Sequence, residues 1–170
     1  MEAITNAEVL IDSILCLTAR RLYRAGRDSI MQLKQGGLSA GEHPNVGLWP
    51  SAFSAMQVIV NRKTPAHRDA GAAPCAYDLL LSAGTHTQSS INLIDIQTSF
   101  SYTPGTVVLV CGRVILHEVP SWEGGEHICI THYIRDVVHD RLGLEQSDWV
   151  RDVEYSIHMS AGYRARQGLA

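Results

Sequence analysis

Apolar positions along the chain change from a helical to a strand period, and the change divides the sequence. Val9, Leu10, Ile14, Leu17 and Leu22 recur at near-helical spacing, which predicts a helix from about Asn6 to Lys34 with those five side chains toward the core and Asn6 capping its start. Gly36, Gly37, Gly41, Pro44, Gly47 and Pro50 then predict an irregular connection. Beyond it come short runs rich in Val, Ile and Leu at 53–61, 90–96, 100–102, 106–111, 114–119 and 127–134. Turn signals separate them: Thr64-Pro65, Gly71 to Pro74, Pro104-Gly105, Gly112 and Gly124-Gly125. Short strands at close spacing with no helix between them predict an antiparallel sandwich or barrel rather than a doubly wound sheet. A last helix is expected from about Asp136 into the 140s, and the tail beyond Tyr155 has no strong period.

Composition narrows the class. With 170 residues, 45% of them hydrophobic, the chain reads as one domain over 1–170: helix and loop at 1–50, strand core at 51–136, helix and tail at 137–170. Fourteen basic against seventeen acidic residues give a net charge of -3, which excludes nucleic-acid binding driven by overall positive charge. The charge is uneven, because residues 1–68 carry eight basic and five acidic side chains and the remainder six and twelve. Arg20, Arg21, Arg24, Arg27 and Lys34 would lie on a solvent face, where a basic surface is most often simply solvated. Apolar runs are strand-sized and the N-terminus lacks a basic leader region, so no membrane partner and an intracellular location are expected. Cys16, Cys75, Cys111 and Cys129 have no C-x-x-C spacing and read as reduced thiols, with Cys111 and Cys129 as small apolar fillers.

Candidate chemistry begins in Thr64-Pro65-Ala66-His67-Arg68-Asp69. His67 and Asp69 stand two apart at the end of a strand, so both can project to one side. His117, fifty residues on, lies in the apolar run Arg113-Val114-Ile115-Leu116-His117-Glu118-Val119, where an unpartnered imidazole would be costly to bury. Two His and one carboxylate make the facial set of non-haem Fe(II) oxygenases and leave positions open for a chelating 2-oxo acid and O2.

The stretch from Val58 to His139 carries these residues with Tyr-Asp-Leu-Leu-Leu-Ser-Ala-Gly-Thr-His, Tyr-Thr-Pro-Gly-Thr-Val-Val, Cys-Gly-Arg-Val-Ile-Leu-His-Glu-Val and His-Tyr-Ile-Arg-Asp. It resembles the fungal TET/JBP-like 2-oxoglutarate and Fe(II)-dependent dioxygenases. The resemblance implies a mainly β fold with flanking helices, built on a double-stranded β-helix or jelly-roll core with N-terminal helical support. It implies Fe(II) held by His67, Asp69 and His117, with 2-oxoglutarate and O2 as co-substrates. It further implies oxidation of a methyl group on a nucleobase in DNA, 5-methylcytosine or N6-methyladenine, and a nuclear location if DNA is the substrate.

One position departs from the family pattern. Ten residues after the distal His, where the family has an Arg that pairs with the far carboxylate of 2-oxoglutarate, this chain has His127. Loss of the bidentate fork would cost about 1–3 kcal/mol. Alternation along a regular strand puts Arg113 on the face of His117, where it would supply the missing charge. Asn61 is similar to an Asn that touches the 2-oxo acid in related folds. Co-substrate binding is therefore expected at His127, Arg113 and Asn61, while Arg135, eight residues beyond His127, reads as a structural or surface residue.

The other histidines read more plainly: His86 at a loop or strand edge near the substrate mouth, His132 facing away from the pocket, and His43, His139 and His158 solvated. Trp49, Trp122 and Trp149 read as packing residues, with Trp122 placed to stack on a base. Phosphate contacts to a DNA substrate would come from the arginines at 20–27 with Arg62, Lys63 and Arg68. Two alternatives stand beside this reading. One is a dioxygenase acting on a free base, small molecule or peptide; the other is a catalytically weak relative serving as a binding module because of His127.

Overall fold

A computed structural model describes residues 4–36, 45–73 and 76–144. The expected N-terminal helix is two: α1 (Thr5–Thr18) and α2 (Arg20–Lys34), broken at Ala19, whose φ of -142° and ψ of 64° leave the helical region. The break changes which face is buried. Ile11, Leu15 and the polar Glu8 and Asp12 turn inward, whereas Val9, Leu10 and Leu17 are exposed, Leu17 at 87%. The polar pair could turn inward because each finds partners. The Asp12 carboxylate accepts hydrogen bonds from the Ala52 amide at 2.9 Å and the Ser51 hydroxyl at 3.1 Å, and Glu8 meets His132 at 2.9 Å. Asn6 lies inside α1 rather than at its cap. On α2, Gly26 is required by close approach, since an added Cβ would stand 2.4 Å from the Ala52 carbonyl oxygen.

The strands form two antiparallel sheets. One contains β1 (Ala55–Val60), β3 (Asp78–Gly84), β6 (Val107–Val110) and β9 (His127–Tyr133), in the order β1-β9-β3-β6. The other contains β2 (Thr64–His67), β4 (Gln88–Leu93), β5 (Thr98–Ser101) and β7 (His117–Val119), in the order β2-β7-β4-β5, with β8 (Trp122–Glu123) paired to β4. Two facing sheets with helices on one outer side make a double-stranded β-helix.

Strand β3 has no counterpart among the expected runs. Its Leu79-Leu80-Leu81 has no alternation to read because both faces are covered: Leu79 and Leu81 pack toward the helices and Leu80 between the sheets. Strand β2 also forms where Thr64-Pro65 suggested a turn, at a sheet edge, the place that tolerates Pro. Conversely, the expected strand at 114–119 is ordered as β only from His117. The Val114 and Ile115 amides both donate to the Cys111 carbonyl, and Asp95 captures the Leu116 amide at 2.7 Å.

Strand β9 positions the site by simple parity. Its pairing with β1 sets Gln57 opposite Thr131 and Ile59 opposite Cys129. The odd-numbered residues of both strands face the space between the sheets, while His132 points the other way, onto Glu8 of α1. The last helix, α3 (Asp136–Leu142), packs on α2 and buries His139 between them, so His139 is not solvated. Its Nε2 lies 3.3 Å from the Ala25 carbonyl oxygen. His43, Cys75, Trp149, His158 and the tail lie outside the described residues.

Candidate metal centre

A cavity of about 250 Å³ opens between the sheets. On its wall β2 and β7 pair with His67 opposite His117, and the two imidazoles approach to 4.4 Å between ring centres. Asp69 follows β2 into a loop held by its own amide, which donates to the Gly112 carbonyl at 2.9 Å. His67 Nε2 lies 3.3 Å from Asp69 Oδ1, and His117 Nε2 lies 3.6 Å from Asp69 Oδ2.

Both rings are oriented from behind. His67 Nδ1 is 2.9 Å from the Pro65 carbonyl oxygen and His117 Nδ1 is 2.9 Å from that of Ile115. A carbonyl only accepts, so each Nδ1 is the donor and each Nε2, the atom that faces Asp69, is the one left to ligate a metal. The three donor atoms lie within 4.8 Å of one another, a spacing that one divalent ion fits.

Asp78 is a carboxyl that sequence reasoning did not single out. It sits on the cavity face of β3, buried to 2% exposure, with the Gly112 amide beside its carboxyl. Burial, reinforced by the neighbouring Asp69 charge, pushes its pKa up to about 7. Gly112 separates the two acids: a Cβ there would stand 2.2 Å from Asp69 Oδ2 and 2.5 Å from Asp78 Oδ2.

The far end of the cavity is closed by His127, which is 1% exposed. Trp122 stacks on its ring at 5.0 Å and 22°, so one face of the indole packs against His127. His86 meets the same ring edge-on at 4.7 Å and is itself buried, bonded to Ser82 and the Tyr102 carbonyl. Among the described residues neither ring nitrogen of His127 has a hydrogen-bond partner. Burial, with a smaller contribution from His86, holds this imidazole below its ordinary pKa, so at neutral pH it is an uncharged group.

Two expected co-substrate residues are placed elsewhere. Arg113 stands in the turn before β7, not on a regular strand, and its guanidinium donates to the Ala70 carbonyl; it is not among the residues lining the cavity. Asn61 does not line the cavity either. It adopts a positive φ of 50°, its amide donates to the His127 carbonyl at 2.8 Å, and its side-chain oxygen accepts the His127 amide at 2.9 Å. It thus anchors the start of β9. The cations that do line the cavity are Arg62 and Arg135. Arg135 is exposed and lies with its guanidinium 5.1 Å over the Tyr133 ring and beside Gly71, as a structural residue would. The odd parity shared by Gln57, Thr131, Tyr133 and Arg135 was the signal available for this wall. Among the basic residues assigned to phosphate, Arg68 is already paired with Asp95 at 2.9 Å.

A double-stranded β-helix that gathers two His and a carboxylate in an inter-sheet cavity fits the non-haem oxygenase class. The Tet_JBP family, described as the oxygenase domain of the 2OGFeDO superfamily, matches residues 16–136, and the chain belongs to it. The superfamily named in that description is that of the 2-oxoglutarate and Fe(II)-dependent dioxygenases, which use Fe(II), 2-oxoglutarate and O2, and His67, Asp69 and His117 are placed so that they could hold a metal ion. Among solved structures the fold is similar to that of NgTET1 in complex with 5mC DNA, with a TM-score of 0.57 and 14% identity. The similarity covers 92% of this chain and 56% of that one, so this chain spans little over half the length of NgTET1. No curated protein sequence matches the chain. No helix among the described residues is long and apolar enough to cross a membrane.

Proposed function

We propose that His67, Asp69 and His117 hold the Fe(II), and that the chain oxidises the methyl group of a methylated base in DNA, 5-methylcytosine or N6-methyladenine. The observation that carries this reading is the donor set itself: two Nε2 lone pairs and a carboxylate within 4.8 Å, on a wall of a cavity in a TET-like fold. Bound there, Fe(II) with 2-oxoglutarate and O2 supplies the power to convert a C–H bond into C–OH.

The chain's own residues do the rest. Pro65 and Ile115 keep both rings in the ligating tautomer. Gly112 keeps the Asp69 carboxylate free to turn toward the rings. Apolar Leu80, Ile91 and Val119 line the cavity and reduce access of water to the reacting centre. A base in a duplex would have to be flipped to reach this cavity, and exposed Lys63 borders the β1–β2 turn where a backbone could run. Action on DNA would place the protein in the nucleus of a nucleated cell.

The test is coupled turnover. Purified protein with Fe(II), 2-oxoglutarate and O2 is expected to form succinate in step with an oxidised base on oligonucleotides carrying 5-methylcytosine or N6-methyladenine, and His67→Ala to abolish both. Product found only with a free base, small molecule or peptide overturns the DNA assignment. Tight binding of methylated DNA with no succinate above the His67→Ala background makes the chain a binding module instead.

A further inference from the structure

We infer that Arg62 supplies the charge that pairs with the far carboxylate of 2-oxoglutarate, the role for which His127 leaves no cation. The inference rests on the metal position proposed above. A dianionic co-substrate with one end on the metal needs a counter-charge for the other end in a cavity that already holds the carboxyls of Asp69 and Asp78. His127 does not meet that need: it is clamped between Trp122 and His86, buried, and uncharged at neutral pH.

Only two Lys or Arg side chains line the cavity among the described residues, Arg62 and Arg135. They stand at opposite ends of the β9 wall. Asn61 is tied to His127 by two hydrogen bonds, amide to carbonyl and amide to side chain, so Arg62, the next residue, lines the cavity from the end at which β9 begins with His127. Arg135 follows β9 at the other end, beyond Tyr133, and rests over that ring and against Gly71, two residues from Asp69. His127 and Tyr133 are six residues apart on an extended strand, roughly 20 Å. One guanidinium therefore cannot do the work of the other. The Arg62 guanidinium has no carboxylate or carbonyl partner among the described residues, and its planar fork matches a carboxylate with two parallel hydrogen bonds.

Asn61 gives this arrangement its geometry. Its left-handed φ turns the chain sharply at the end of β1, which carries Arg62 into the cavity. The effect is that a residue of the β1–β2 turn reaches the place where the family's strand arginine would stand.

The experiment is an anaerobic titration of the Fe(II) protein, read by the charge-transfer absorption of the chelated 2-oxo acid. Two ligands are compared: 2-oxoglutarate, and 2-oxovalerate, which has the same chain length and chelating end but no far carboxylate. The native protein is expected to favour 2-oxoglutarate. Arg62→Gln is expected to weaken 2-oxoglutarate at least tenfold while leaving 2-oxovalerate unchanged, so that the preference collapses. Arg62→Lys, which keeps the charge and loses the fork, should fall between. Arg135→Gln should keep the full preference. The inference is overturned if Arg62→Gln and Arg62→Lys both keep the native preference, or if the preference is lost in Arg135→Gln instead. Absence of the band with both acids in the native protein would overturn the metal position, a failure distinct from loss of discrimination with the band intact.

Discussion

Gly112 stands directly against Asp69: its carbonyl accepts the Asp69 amide at 2.9 Å, and a Cβ on it would lie 2.2 Å from Asp69 Oδ2. The ligand loop is therefore held by backbone on one side and given room by a missing side chain on the other. Gly112→Ala is expected to push the Asp69 carboxylate out of line with the two Nε2 atoms and to lower Fe(II) or Co(II) affinity by about 10–100-fold, the usual cost of disturbing a ligand's support. Metal titration of the folded variant measures it. An unchanged affinity would mean that Asp69 does not need this clearance.

Metal should stabilise the fold through the same three residues. At a free metal concentration 100 times Kd, the gain is about 2.7 kcal/mol. Thermal melts with and without Co(II) or Fe(II) should show an upward shift in the native protein, reversed by chelator, and no shift in His67→Ala. A full shift in His67→Ala would place the ion elsewhere.

Asp78 predicts a pH slope in the metal-free protein. Its folded pKa of about 7 lies above the ordinary 3.8, so the folded state holds its proton where the unfolded chain has released it. The contribution of Asp78 to stability is then greatest below pH 4, falls between about pH 4 and 7, and levels off above, with a total loss on the order of 2–4 kcal/mol from this group. Asp78→Asn cannot ionise and should lack that component, being more stable than the native chain at pH 8 and little different at pH 4. Urea unfolding at several pH values decides it, and parallel curves for the two proteins would refute it.

Glu8 and His132 tie α1 to the back of β9 through a contact of 2.9 Å in which both side chains are buried. Removing one partner leaves a buried polar group without a counterpart, which costs about 3–5 kcal/mol for a buried pair. Glu8→Ala should show that loss in chemical denaturation. Because His132 faces away from the cavity, the charge-transfer titration of protein that remains folded should be unaltered.

What could be read before folding depended on residues whose neighbours in sequence are also their neighbours in function. His67 and Asp69, two apart at a strand end, and His117 in an apolar run were visible as a donor set, and the parity of β9 correctly turned His132 from the cavity. Strand β3 was invisible because burial on both faces erases alternation, and the inward face of α1 was misread because Glu8 and Asp12 are buried against partners 124 and 40 residues away. Arg113 failed as a cavity residue because a turn, not a strand, precedes His117.

The sequence by itself determined which donor groups are available and how closely two of them are spaced, since residue identity and short-range spacing are properties of the chain. Only the tertiary structure decided how the cavity is charged. It buried His127 among Trp122, His86 and Tyr102 so that desolvation holds it uncharged, and it set Arg62 and Arg135 at opposite ends of one wall. Those outcomes follow from which strands lie side by side, and charge in a cavity depends on the groups that face it across space rather than along the chain.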